Sequence, residues 1–191
     1  MTNLHFDWLA PWYERLISPP DPAPLIERLA LPTDGILLEV GGGTGRVAAL
    51  LKGLAQTVIV SDISLPMLRH ARQGHGLGAA QASVLALPHR DGSIDRILVV
   101  DAFHHFPQQE RALHELLRVL HPEGRLVIQE PDIHDRRVKA IALAERLALM
   151  QSRFVAAAEI AQLATRFGGR ATVVQEDAFT VSVVVVEKSE G

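Results

Sequence analysis

The sequence predicts an α/β fold with a doubly wound sheet of seven strands, mostly parallel, and an antiparallel hairpin strand at the C-terminal end. Apolar runs typical of strands buried on both faces alternate with stretches of helical periodicity. A glycine-rich turn at residues 41–45 follows the first of these runs. Near the C-terminus, the β-rich stretches ATVVQED and FTVSVVVVEK are joined by a very short turn, so they are expected to pair as a hairpin.

Length and composition favour one globular domain. The 191 residues suit a single domain, 1–191, with a helical segment at 1–32 and a core at 33–188. The formal charge of −3 without a basic cluster argues against a nucleic-acid partner. The absence of cysteine excludes disulfides and thiolate metal sites. The N-terminus does not resemble a signal peptide, and no integral membrane segment is expected, so we expect a cytoplasmic protein.

The N-terminal residues 4–17 have the pattern of a short amphipathic helix that is rich in aromatic side chains. Several prolines end this element before a helix that is predicted near 24–30. The simplest interpretation is a helix that docks on the core through aromatic side chains, among them Trp8, Trp12 and Tyr13.

The stretch 37–51 predicts a buried strand that ends near Glu39, then a turn, then a helix. The turn contains four glycines, namely Gly41, Gly42, Gly43 and Gly45. Residues without Cβ atoms allow positive φ and let a ligand approach the backbone closely, while the following helix directs N–H groups at that ligand. A tight connection in an ordinary α/β domain is the alternative interpretation.

The glycine spacing differs from that of a dinucleotide site, because Arg46 stands where the pattern Gly-x-Gly-x-x-Gly has its third glycine. This argues against an NAD(P)-dependent oxidoreductase. A second strand at 56–64 ends at Asp62, the position where an acid accepts hydrogen bonds from the ribose hydroxyls of an adenosine cofactor. Asp62 alone does not choose between cofactors, and a simple turn or cap aspartate is the alternative. Ser64 is expected to cap the next helix.

Three more strands are predicted at 78–84, 94–100 and 121–132. A helix with a core stripe of leucines is expected to start at Pro107, and helical periodicity spans 133–167. The sequence DAFHHF follows the fourth strand at its C-terminal end, where open α/β sheets bind ligands.

The motif Glu39–Gly45, the sequence from Leu87 to Val100 and the plan of five βα units plus a hairpin resemble class I S-adenosylmethionine-dependent methyltransferases. The segment 83–131 is most similar to their small-molecule branch, methyltransferase type 11, which includes ubiquinone and menaquinone C-methyltransferases. The resemblance implies a Rossmann-like fold, S-adenosyl-L-methionine as cofactor and a small-molecule methyl acceptor, for example a quinone-like or other aromatic or enolic compound. It leaves a homodimer open.

The resemblance assigns cofactor contacts to Glu39, Gly41, Gly42, Gly43, Gly45, Asp62, Ile63, Ser83, Val84 and Asp101. Ser83 departs from the family, which usually has an aspartate there for the adenine amino group. A hydroxyl accepts this hydrogen bond without a charge, so adenine selectivity is expected to be weaker. In such relatives the N-terminal segment often closes over the cofactor, which assigns substrate contacts to Trp8, Trp12 and Tyr13, together with Phe106.

Methyl transfer is an in-line displacement, and a proton acceptor is needed only for a nucleophile that arrives protonated. His104, His105 and Glu130 are the candidates, since all three lie at C-terminal strand edges. Imidazole titrates near neutrality, so we expect His105 to act without a large pKa shift. The alternative is that one histidine packs structurally while the other shapes the pocket. Adjacent histidines without a third ligand do not predict a metal site.

Two other functions stay open. A non-catalytic cofactor-binding or scaffold protein would keep the glycine turn while losing the acceptor site. An oxidoreductase fits less well because of the glycine spacing. The stretch between strands five and six is short, so the acceptor site is either open or completed by another subunit.

Overall fold

The computed structural model describes residues 21–131, 153–175 and 181–188. Its strands are β1 (Thr33–Val40), β2 (Ala55–Asp62), β3 (Gly78–Gln81), β4 (Ile94–Val100), β5 (Leu120–Pro131), β6 (Gly169–Gln175) and β7 (Val181–Lys188). Its helices are α1 (Pro22–Arg28), α2 (Arg46–Leu50), α3 (Leu65–His75), α4 (Gln109–Val119) and α5 (Ala157–Arg166), with a 3₁₀ turn at Phe103–His105. The expected N-terminal element at 4–17 and the hairpin turn near 177–178 lie outside the described residues.

The strands form one seven-stranded sheet in the order β3-β2-β1-β4-β5-β7-β6. Strands β1 to β5 pair in parallel, and β7 lies antiparallel between β5 and β6. The predicted doubly wound sheet with an antiparallel C-terminal strand is therefore confirmed. The chain adds β2 and β3 on one side of β1 and then crosses to β4 on the other. Ligands bind at such a reversal of strand order, so the crevice beyond β1 and β4 is the expected site.

Helices cover both faces of the central strands, which explains why those strands are continuous apolar runs. Leu37 and Leu98 pack with α1, α2 and α3 on one face. Leu38 and Ile97 pack with α4 and α5 on the other. All four side chains are fully buried. Alternate residues of β1 and β4 thus serve two separate apolar clusters, and these strands hold the site edge rigidly.

Local signals set several of the element ends. The predicted cap at Ser64 is confirmed, since its side chain accepts a hydrogen bond from Met67 N at 3.4 Å. Gly168 adopts a φ of 84° just after α5, as expected for a helix stop. The third strand ends at Gln81 rather than 84, because Ser83 forms a turn in which Ala86 N donates to its carbonyl.

Two helix predictions were less accurate. The helix expected from Pro107 begins two residues later, after Gln108, which adopts the left-handed conformation. Leu120, expected in the helical stripe, is buried as the first residue of β5. The helical periodicity predicted over 133–167 is described only from residue 153, where it contains α5. Among the helices of the described segments, none is long and apolar enough to cross a bilayer.

The central position of β4 predicts a large cost for truncating its core. Leu98→Ala removes a side chain with no exposed surface and is expected to lower the free energy of unfolding by ~2–5 kcal/mol. Leu50→Ala, at a leucine that is 38% exposed, is the matched control and should cost less than ~1 kcal/mol. Urea denaturation of both variants measures the difference. Equal midpoints would contradict this account of the core.

Candidate functional site

The carboxyl ends of four neighbouring strands meet at one edge of the sheet. Gly41 directly follows β1, and Asp62 is the last residue of β2. The two strand ends are joined by a hydrogen bond from Gly41 N to Ser61 O at 2.8 Å. Asp101 follows β4, and Glu130 lies at the end of β5. This edge therefore brings together the glycine turn and three acids that the sequence singled out.

The glycine turn adopts the predicted left-handed backbone at three of its four glycines. Gly41, Gly43 and Gly45 have φ values of 72°, 55° and 76°. Gly42 is required for another reason, since a Cβ there would lie 2.6 Å from Glu39 Oε2. The turn is thus shaped partly by its own conformation and partly by the carboxylate beneath it.

Glu39 joins the end of β1 to the start of α2. Its side chain is buried, and Oε2 accepts a hydrogen bond from Ala48 N at 3.1 Å. Burial raises the pKa of Glu39 to about 8, although the bond from Ala48 and the charge of Arg46 oppose the shift. Near neutral pH this carboxyl group is therefore largely protonated in the folded protein. Its role is to hold the start of α2 against the end of β1.

Asp62 binds two backbone groups from opposite sides. Its Oδ2 accepts from Gly43 N at 2.9 Å, and its Oδ1 accepts from Ser64 N at 2.8 Å. The first bond ties the glycine turn to β2, and the second shapes the entry to α3. Ile63 beside it is 55% exposed. A carboxylate next to an exposed apolar side chain is a suitable pair for the ribose and base of a nucleoside.

Ser83 and Val84 lie in the turn after β3. The Ser83 Oγ accepts a hydrogen bond from Leu85 N at 3.2 Å. Val84 is buried in the apolar cluster beneath α4. The hydroxyl of Ser83 is therefore engaged within its own turn, and its proposed contact with adenine stays a prediction.

Glu130 holds the 3₁₀ turn in place. Its Oε1 accepts from Ala102 N at 2.9 Å and Phe103 N at 2.7 Å. Its Oε2 accepts from His104 N at 3.3 Å and lies 2.5 Å from His104 Nδ1. Both oxygens of this buried carboxylate are thus used by the protein itself. The sequence showed its place at the strand end but not this use as a clamp.

The two histidines differ in their surroundings. His104 is buried and its ring stacks on Phe154, with ring centroids 4.3 Å apart. His105 is half-buried, with its ring centroid 3.9 Å from that of His104. Burial and the charge of His104 lower the pKa of His105 to about 4. The expectation that His105 titrates near neutrality is therefore wrong, and its imidazole is neutral from about pH 5 upward.

Asp101, Arg46 and Phe106 surround the glycine turn. Asp101 has a φ of 50°, a strained value for a residue with a side chain. Its Oδ2 lies 3.8 Å from Arg46 Nη2, while burial and the charge of Glu130 raise the pKa of Asp101. A Cβ on Gly41 would lie 3.0 Å from the Phe106 ring. Sequence reasoning missed the contact of Arg46 with Asp101, because it treated Arg46 only as a missing glycine.

The predicted substrate residues Trp8, Trp12 and Tyr13 lie outside the described residues, so the structure says nothing of their contacts. Within the part of the chain that the structure describes, no three His, Asp or Glu side chains form a group that could hold a metal ion.

Parts of the chain are similar to known methyltransferases. Residues 38–128 match the family described as methyltransferase domain. The demethylmenaquinone methyltransferase of Thermus thermophilus is 41% identical over 101 residues, which cover 49% of this chain and 46% of that protein. A ubiquinone/menaquinone biosynthesis C-methyltransferase of Hahella chejuensis is 31% identical over 115 residues, or 55% of this chain and 46% of the relative. The chain spans about half the length of the curated relatives that it matches.

The fold has a close counterpart among solved structures. A methyltransferase of Thermotoga maritima described as dependent on S-adenosylmethionine (SAM) superposes with a TM-score of 0.75 at 22% identity. The match covers 96% of this chain and 98% of that one. The predicted Rossmann-like fold is confirmed by this match. The predicted resemblance to methyltransferases of ubiquinone and menaquinone biosynthesis is confirmed by the two relatives. S-adenosylmethionine is the cofactor that the description of the Thermotoga maritima protein names.

The buried Glu39 predicts a pH dependence of stability. Its pKa is raised from 4.5 to about 8 on folding, so the folded state binds the proton more tightly than the unfolded chain. The contribution of Glu39 to stability should therefore be fully present below about pH 4.5 and be lost as the pH rises to about 8. Glu39→Gln lacks this titration and should show a shallower decrease, measured by urea unfolding at pH 5, 6.5 and 8. Exposed Glu110→Gln is the control, and a parent-like slope in Glu39→Gln would contradict the prediction.

Proposed function

We propose that this chain, whose residues 38–128 match the methyltransferase-domain family, transfers a methyl group from S-adenosylmethionine to a small-molecule acceptor. One observation carries the proposal: the glycine turn and Asp62 form a single cradle, joined by the hydrogen bond from Gly43 N to Asp62 Oδ2 at 2.9 Å. The cradle lies at the carboxyl ends of β1 and β2, beside the reversal of strand order.

The residues of the cradle fit this cofactor. A Cβ on Gly43 would approach only the flexible end of Met67, whose Sδ would lie 3.0 Å away, so the backbone there is open to a ligand. We assign the amino-acid end of the cofactor to the glycine turn and the carbonyl of Asp101. We assign the ribose hydroxyls to Asp62 and the adenine to Ile63, whose apolar surface is exposed. Helix α2 has five residues, so no anion site at its N-terminus is assigned.

Bound S-adenosylmethionine supplies a methyl group on a sulfonium, which an acceptor nucleophile takes in line. The residues of the chain position the two reactants. Glu130 holds the 3₁₀ turn through its backbone N–H groups, so the turn keeps His105 and Phe106 at fixed places beyond β4. Phe106 lies against the glycine turn and excludes water there. Neutral His105 accepts a hydrogen bond from a hydroxyl of the acceptor, which draws electron density toward the reacting atom.

The acceptor that we propose is a hydroxylated aromatic or enolic compound of the quinol type. Support comes from the two relatives named for demethylmenaquinone and for ubiquinone and menaquinone biosynthesis. A hydroxyl next to the reacting carbon makes that carbon more nucleophilic as its proton is shared with a base, and the proton on the carbon is released to water once the methyl group is bonded. We further propose that the chain consists of a helical segment at 1–32 and a core at 33–188. We propose that it is located in the cytoplasm and forms a homodimer.

A non-catalytic cofactor-binding protein is the second candidate, because the described site contains no strong proton acceptor among the three predicted residues. Of the three predicted proton acceptors, Glu130 and His104 are bound to each other in the interior. The third, His105, has a pKa of about 4 and is a weak base. Such a site suits an acceptor that needs a hydrogen bond or no base at all, and it suits a binding protein equally well. Transfer of a tritiated methyl group to a 1,4-naphthoquinol separates the two functions.

Cofactor binding tests the cradle. Asp62→Ala should weaken the affinity for S-adenosylhomocysteine at least tenfold, because a charged acceptor is worth ~1.5–3 kcal/mol per hydrogen bond. Asp34→Ala, at an exposed acid near the opposite edge, should keep the parent affinity. Isothermal titration calorimetry measures both, and NAD should give no binding heat. The cradle assignment fails if NAD binds, or if folded Asp62→Ala retains the parent affinity.

The pH–rate profile tests the role of His105. Because its pKa is lowered to about 4, the imidazole is neutral throughout, and kcat/KM should be flat from pH 5 to 8 with respect to this group. His105→Ala should lower kcat/KM about tenfold through the lost hydrogen bond, and His105→Asn should restore part of it. A parent profile with a limb between pH 5 and 8 that vanishes in His105→Ala would show instead a base that titrates near neutrality.

A further inference from the structure

A row of charged side chains crosses four neighbouring strands, β4, β5, β7 and β6, near the end of the sheet that lies away from the crevice. In the strand register, Arg96 pairs with Arg125, Arg125 with Glu187, and Glu187 with Arg170. Residues paired on neighbouring strands direct their side chains to the same face of a sheet. The four side chains therefore form one row, which we call the arginine row, with three guanidinium groups and one carboxylate.

Glu187 is shared between two of these arginines. It accepts a hydrogen bond from Arg125 Nη2, and its other oxygen lies 3.6 Å from Arg170 Nη2. Arg170 is largely exposed. One carboxylate thus serves two cations, so the row keeps a net positive charge in a protein whose formal charge is −3.

Arg96 is held by carbonyl groups. Its Nε donates to Leu29 O at 2.6 Å, and its Nη1 donates to Asp95 O at 2.9 Å. These bonds fix the guanidinium beside Arg125, whose Nη1 donates to Arg28 O at 3.1 Å. Like charges directly opposite each other on neighbouring strands destabilise a sheet. Burial and the charge of Arg125 lower the pKa of Arg96, in accord with that repulsion.

The arginine row borders two adjoining cavities of about 500 Å³ and about 520 Å³, which share Arg125, Arg170 and Glu187. The first cavity is also lined by Arg96 and Lys188, with Glu123 as its second acid. Four cationic side chains thus face two carboxylates there. Both volumes fall in the range of ~300–1,000 Å³ that small-molecule sites occupy.

We propose that the first of these cavities, which is lined by all three arginines of the row, binds a phosphate-bearing small molecule through Arg96, Arg125 and Arg170. Guanidinium groups match phosphate oxygens with paired N–H donors, and each carries five such donors. The described contacts of Arg96 use two of its donors, so it has the capacity to bind an anion as well. A bound phosphate would offset the repulsion between Arg96 and Arg125. This second site is independent of methyl transfer at the other edge.

Pyrophosphate is the probe, titrated into the full chain by calorimetry at 0.15 M salt. Arg170→Gln should weaken its binding about tenfold, since it removes a charged donor. Glu187→Gln should tighten binding about threefold or more, because it removes a competing carboxylate from the row. Arg69→Gln, at an exposed arginine on α3, is the control of equal charge change and should have no effect. The affinity for S-adenosylhomocysteine should stay the same in all three variants.

Opposite results overturn the proposal. The proposal fails if the parent chain does not bind pyrophosphate. It also fails if Arg69→Gln and Arg170→Gln weaken pyrophosphate binding equally, or if Glu187→Gln weakens it. Vesicles that contain phosphatidylglycerol distinguish a lipid headgroup from a soluble phosphate. Binding to those vesicles without binding to pyrophosphate would identify a membrane surface as the partner and reject a small-molecule site. Since Glu187→Gln is expected to increase affinity, loss of folding cannot imitate the predicted result.

Discussion

Hydrogen bonds from backbone N–H groups to the buried carboxyl groups of Glu39 and Glu130 determine the shape of the crevice. The strands of a parallel sheet end together, and every loop that leaves them carries N–H groups that must find acceptors. Glu39 accepts from the first turn of α2, and Glu130 accepts from three successive residues of the 3₁₀ turn. The loops that would contact a ligand are therefore fixed to strands β1 and β5, which carry Glu39 and Glu130. Ligand binding at this end of the sheet therefore depends on two carboxyl groups, of Glu39 and Glu130, that are themselves buried.

Local patterns in the sequence were enough to predict much of this arrangement. The apolar runs, the glycine turn and the cap at Ser64 depend on residues within a few positions of one another. The clamp by Glu130 could not be predicted, because its partners lie 26 to 28 residues away and meet it only through the pairing of β4 with β5. The lowered pKa of His105 depends likewise on burial and on the neighbouring His104.

The charged residues at the two ends of the strands are distributed by the topology of the sheet. Acids occupy the carboxyl ends of β2, β4 and β5, whereas the arginine row crosses β4 to β6 near the other edge. The row includes positions that are far apart in sequence, so the chain shows no basic cluster when it is inspected residue by residue. Only the register of four strands brings them together. The composition of the chain therefore gives no sign of this row of charged side chains.

The glycines of the turn are constrained by different atoms, and this bears on how the motif changes in evolution. A Cβ on Gly45 would lie 2.8 Å from Leu77 and 3.1 Å from Ala71, so the core itself requires glycine there. Gly42 is required by Glu39 in the same way. A descendant that abandoned the cofactor would be expected to retain both, since folding alone selects them. Gly43 faces only the flexible end of Met67, but its φ of 55° strains most other residues, so we expect Asn or Asp, which tolerate that conformation, to be its first replacement in diverging lineages.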